Sequence, residues 1–139
     1  MNKKETNPKD ALGVKRVPFS TVPIVPVAEV GLAMLEGALK YGRHNYRVSG
    51  VRSSVYYDAA LRHLARWWEG EDIDPDSNLP HITKAIASLI VLRDAQINGM
   101  EVDDRPPAMR EWVTELNQKA QELVDAVDEP LLPFTNAKI

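Results

Sequence analysis

Residues 80–98 read PHITKAIASLIVLRDAQIN. Pro80 suits a first helical turn, Ser77 or Asn78 ahead of it can act as a cap, and Gly99 ends the run. From Ile82 to Leu92 the apolar residues lie around most of the helix circumference rather than along one stripe. Such a helix must be covered on nearly every side. One small bundle gives too little cover, so the stretch predicts an all-α, oligomeric helical bundle, a dimer or tetramer, in which a second copy of the chain covers part of it.

The neighbouring segments agree. Upstream, Ser54 can cap a helix running to Glu69, with Tyr57, Leu61, Leu64 and Trp68 on one face and Gly70 as its stop. Farther up, Ala28, Leu32, Leu35 and Leu39 recur at helical spacing over 27–41, between Pro26 and Gly42. Downstream, Pro106 and Pro107 open a helix whose stripe is Met109, Trp112, Leu116, Ala120, Leu123 and Val127. Pro8, Pro18, Pro23 and Pro26 make 1–26 an extended arm. That leaves 27–99 as the helical catalytic core and 100–139 as a C-terminal helix and tail that completes the bundle or the oligomer. The last ten residues, PLLPFTNAKI, have the composition of a tail that docks. No strand pair with a hairpin turn, no internal repeat and no low-complexity tract is expected.

Composition narrows the function. A chain of 139 residues, 44% hydrophobic and 27% charged, is one domain that needs no metal or disulfide merely to fold. The absence of cysteine removes thiolate nucleophiles, Cys-based zinc sites and iron–sulfur clusters, and fits a reducing compartment. MNKKETNPKD leads into no signal-type apolar run, and no stretch is long enough to span a membrane, so the expectation is a cytoplasmic protein, in the host cytoplasm if phage-encoded. With 17 Lys and Arg against 20 Asp and Glu, the net charge of -3 argues against a nucleic-acid or membrane partner. A small phosphorylated ligand needs only two or three cations and stays open.

Three clusters carry chemistry. Glu69, Glu71, Asp72, Asp74 and Asp76 crowd carboxylates that repel one another without a counter-charge. They are either a solvated loop near the positive end of the next helix or a site for Mg²⁺ or Mn²⁺. An EF-hand fails, because Ser77 stands where glycine is needed and Thr83 where a bidentate glutamate belongs. The second cluster lies on the 54–69 helix, where Asp58, Arg62, Arg66 and Glu69 share a polar face as an ion-pair ladder beside His63. His63 and His81 are each either packing histidines or groups that move a proton or contact phosphate. In the third, KYGRHNYR at 40–47, the cations either answer a helix C-terminus or, with Asn45, Tyr41 and Tyr46, hold a nucleotide.

KYGRHNYR together with ALRHLARWWEGEDIDPDSNLPH at 60–81 resembles the phage and bacterial dATP/dGTP diphosphohydrolases, a MazG-like branch of the all-α nucleoside triphosphate pyrophosphatases. The resemblance covers roughly residues 7–98. It implies metal-dependent hydrolysis of dGTP or dATP to the monophosphate and pyrophosphate. Lys40, Tyr41 and Asn45 match the family's KYG-x-x-N loop and Arg47 its following arginine. Arg62 and His63 match its RH pair, Glu71 and Asp74 its acidic turn, and His81 its helix-opening histidine. Tyr46 stands where tryptophan is usual, Asn78 where glycine is expected, and Lys84 where a second histidine often appears.

On that resemblance, Glu71, Asp72 and Asp74, with Glu29 or Glu36 from across the bundle, are the expected Mg²⁺ or Mn²⁺ ligands. Arg62, Lys40 and Arg47 would answer phosphate charge, and His63 or His81 would orient ligands or move a proton. Two rivals remain. An HD-type triphosphohydrolase is disfavoured because no histidine is followed by aspartate. The other is a non-enzymatic oligomeric helical module.

Overall fold

Small side chains let helices approach closely, and in the 80–98 stretch Ala85, Ala87 and Ala95 are all buried. In the computed structural model, which describes residues 7–134, this stretch forms α5 (His81–Ile97), the element against which α2 (Ile24–Tyr41) and α4 (Ser53–Trp68) both pack. Val30 and Ala33 of α2 meet Ala87, with Met34 and Leu79 alongside. Val51, Val91 and Ala95 form a second cluster, flanked by Tyr46, Tyr56, Leu92 and Met100. The remaining helices are α1 (Pro8–Gly13), α3 (Asn45–Val48) and α6 (Trp112–Asp125). The fold is all-α, as expected. Among the described residues, no helix is long and apolar enough to cross a membrane.

The opposite side of α5 is bare. Ile82, Ile86, Leu89 and Ile90 are 36–49% exposed. Among the described residues up to 104, no buried hydrophobic residue is larger than valine.

Several boundaries differ from the sequence expectation. The 1–26 arm is not wholly extended: the Asn7 side chain accepts from the Lys9 N–H at 3.0 Å and Pro8 opens α1, and a 3-10 turn follows at Phe19–Thr21. Residues 1–6 of that arm lie outside the described residues. Helix α2 begins at Ile24 rather than 27, because Pro26 falls in its first turn, where a missing N–H costs nothing. Ser54 is not the cap of α4. Its own N–H donates to Asp104 at 2.8 Å, and its hydroxyl bonds the same carboxylate, so an acid 50 residues away satisfies the helix start.

A short strand pair, not a hairpin, accompanies the helices. β1 (Val51–Arg52) runs parallel to β2 (Glu101–Val102), with Val51 opposite Glu101 and Arg52 opposite Val102. The Ser53 hydroxyl fastens the pair by donating to Glu101 at 2.6 Å. One compact unit reaches residue 104, and the described residues from 105 onward belong to a second unit. That unit contains α6, which starts five residues after Pro107, and residues 135–139 of the expected docking tail lie outside the described residues.

Candidate functional site

The acidic stretch between α4 and α5 is a tight turn organised by one of its own acids. Asp74 is buried, and its carboxylate accepts from the Asp76 N–H at 3.1 Å and the Ser77 hydroxyl at 3.0 Å. Its backbone N–H donates to the Leu79 carbonyl at 2.9 Å and its carbonyl accepts from Asn78 at 2.7 Å. Burial alone would raise the Asp74 carboxyl, but the Asp76 and Ser77 bonds, helped by the nearby histidines, hold it below its ordinary value. Asn78 takes φ +58°, a left-handed position that glycine fills most easily and asparagine tolerates. The same turn sets α5 in place, since the His81 N–H donates to the Asp72 carbonyl at 2.9 Å.

Folding brings α2, α4, the turn and α5 around a polar cleft of about 290 Å³. Lys40, Arg62, Arg66 and Lys84 line it opposite Glu36, Asp74 and Asp76, with His63 among them. Glu36 is held by two ammonium groups: Lys40 at 2.7 Å and Lys84 from α5. Those two bonds keep the Glu36 carboxyl low and raise Lys40.

Behind His63 lies a chain of contacts. Its Nδ1 is 2.8 Å from Nδ1 of His81, which is fully buried, and Nε2 of His81 is 2.6 Å from Glu71 Oε1. The Arg66 guanidinium pairs with the same Glu71 oxygen at 2.6 Å. When Nε2 of His81 donates to Glu71 and each ring carries one proton, Nδ1 of His81 accepts from Nδ1 of His63, and Nε2 of His63 keeps its lone pair. Burial lowers the His63 pKa, which keeps the ring uncharged at neutral pH despite the attraction of Asp74.

Of the residues expected from sequence, Lys40, Arg62, His63, Asp74 and Glu36 come together in this cleft. Tyr41 and Asn45 line a separate apolar hollow. Glu71 and His81 support His63 from behind. Arg47 stands apart, because two of its nitrogens grip Asp94 at 3.1 and 2.8 Å and tie α3 to α5. That pairing raises Arg47 and lowers Asp94. Arg66 and Lys84 were not expected as site residues, and Asp76 only as a member of the acidic cluster. Lys84 had only its departure from a histidine to mark it.

The five carboxylates expected to hold metal do not converge. Glu29 accepts from the Thr83 hydroxyl at 3.2 Å, Glu36 holds two lysines, Glu71 holds Arg66 and His81, Asp72 engages the His81 N–H through its backbone carbonyl, and Asp74 organises the turn. Among the described residues, no three acid or imidazole groups are grouped so as to hold a metal ion. As arranged, these residues do not fit a resident Mg²⁺ or Mn²⁺.

The RH pair, the GED turn and the KYG loop all lie within the unit that ends at residue 104. A family model described as dATP/dGTP diphosphohydrolase, N-terminal, matches residues 6–105. The chain belongs to that family. The match ends one residue beyond the compact unit that carries the cleft, so family and site coincide in extent. No curated protein and no solved structure matches the chain.

Proposed function

We propose that the cleft hydrolyses purine deoxynucleoside triphosphates, dGTP and dATP, to the monophosphate and pyrophosphate. The observation that carries this is the convergence of Lys40, Arg62, Arg66 and Lys84 around an uncharged His63. Four cations line the cleft, three of them held by Glu36 or Glu71, and the oxygens of a triphosphate offer them a polyanionic partner in exchange. Glu36 holds two of the ammonium groups, and incoming phosphate oxygens compete for them.

The chemistry rests on the free nitrogen of His63. A water attacks the α-phosphorus and gives a proton to Nε2 as the new P–O bond forms. The bond from that phosphorus to the bridging oxygen breaks, and pyrophosphate leaves with the electron pair. Arg62, Arg66 and Lys40 answer the charge on the leaving group. Glu71 and His81 hold the His63 ring and balance its positive charge while it carries the proton. Mg²⁺ or Mn²⁺ enters as part of the substrate, on the triphosphate, and no protein group is assigned to it.

The reading includes a homo-oligomer, supported by the bare apolar side of α5. The test is incubation of the protein with each deoxynucleoside triphosphate and Mg²⁺ or Mn²⁺, followed by anion-exchange separation. Monophosphate and pyrophosphate from the purine substrates is the expected result. Nucleoside plus inorganic triphosphate would replace it with HD-type chemistry, and no turnover of any substrate would leave the interaction module.

A further inference from the structure

Beside the polar cleft lies a hollow of different character. It encloses about 530 Å³, a size suited to a small organic ligand. Met34 and Ala38 of α2 and Val91 of α5 supply apolar wall, and Tyr46 and Tyr56 supply aromatic faces with hydroxyls. Burial raises the Tyr56 phenol, so it stays a hydrogen-bond donor. The 42–46 segment closes one side: Gly42 at φ +92° and His44 at φ +60° turn the chain and bring Asn45 and Tyr46 to the rim.

One residue lines both spaces. Lys84 stands at the wall of the cationic cleft and at the wall of the hollow, with Ser88 one helical turn farther along the hollow side. A nucleoside triphosphate has the same division, a flat and largely apolar nucleoside joined at one atom chain to a polyanion. We propose that the hollow is the compartment for the purine deoxynucleoside and that Lys84 meets the α-phosphate at its threshold. This deepens the hydrolase reading and rests on it. Lys40, Arg62 and Arg66 then face the outer two phosphates, and Lys84 is the cation nearest the bond that breaks.

The hollow can be filled without disturbing the helix that borders it. Gly31 and Gly37 both lie within α2 and line the hollow, and a Cβ built on either meets nothing within 4 Å. Leucine is also a better helix former than glycine.

The experiment compares three probes on the full chain by calorimetric titration: inorganic tripolyphosphate, deoxyguanosine and dGTP. The proteins are wild type, Gly37→Leu, Gly31→Leu as a second filling variant, and Lys84→Met, each checked for helical content. Both filling variants should weaken deoxyguanosine and dGTP about tenfold or more while leaving tripolyphosphate unchanged. Lys84→Met should keep deoxyguanosine binding and lower kcat for dGTP about tenfold or more. Unchanged dGTP affinity and turnover in both leucine variants would overturn the compartment while leaving the hydrolase reading intact. Deoxyguanosine binding lost in those variants, with no dGTP turnover in wild type, would keep the compartment and remove the hydrolase. Full turnover in Lys84→Met would overturn the threshold assignment.

Discussion

His63 faces His81 through Nδ1 at 2.8 Å and lines the polar cleft. The sequence marked this histidine only as ambiguous, since its partner lies 18 residues away across the acidic turn. The same ambiguity at His81 resolves differently, because full burial and contact with Glu71 make it a support. The lowered His63 pKa has a consequence for stability. An unfolded histidine takes its proton near pH 6.5, whereas the folded ring takes it at lower pH. Between those values the unfolded chain holds more protons, so stability should fall as pH drops below about 6.5 and level off above it. Thermal melts from pH 8 to 5.5 on wild type and His63→Phe check this. The variant should lose part of that decline, and parallel profiles would contradict the assignment.

Helix α5 was the most legible element, since its apolar run, proline start and glycine stop are all local signals. Its all-round apolar character is also what the structure leaves half uncovered at Ile82, Ile86, Leu89 and Ile90. If a second copy covers that side, Ile86→Glu with Ile90→Glu should shift the sedimenting species from oligomer towards monomer at equal concentration. A wild type already monomeric at micromolar concentration, or a variant of unchanged size, would contradict it. Other elements were less readable for a physical reason. The strands β1 and β2 have two residues each, too few for an alternating pattern, and they pair parallel across some 50 positions. The start of α4 looked like a serine cap because a distant partner such as Asp104 has no signature near Ser54. Asn78 was visible as a departure from glycine, and its positive φ gives the reason for that position.

Across the whole molecule, the candidate site was legible as a set of residue types and not as an arrangement. Sequence placed the cations, histidines and acids near a phosphate, and the cleft gathers Lys40, Arg62, His63, Glu36 and Asp74. Arg47, whose carboxylate partner is 47 residues downstream, does not line the cleft, whereas Lys84 and Arg66 do, and their relation to it exists only after α4 and α5 pack. The acidic turn read as a metal cluster because proximity in sequence resembles convergence. In the fold, Asp74 turns inward to organise the loop while Glu71 reaches Arg66 and His81. In the proposed reaction, side-chain cations grip a triphosphate and His63 activates the water that attacks the phosphorus nearest the nucleoside. Hydrolysis of dGTP in oxygen-18 water, with mass analysis of both products, tests that most directly. The predicted result is heavy oxygen in the deoxynucleoside monophosphate and none in the pyrophosphate. Label in the pyrophosphate would place the attack on the β-phosphorus and contradict it.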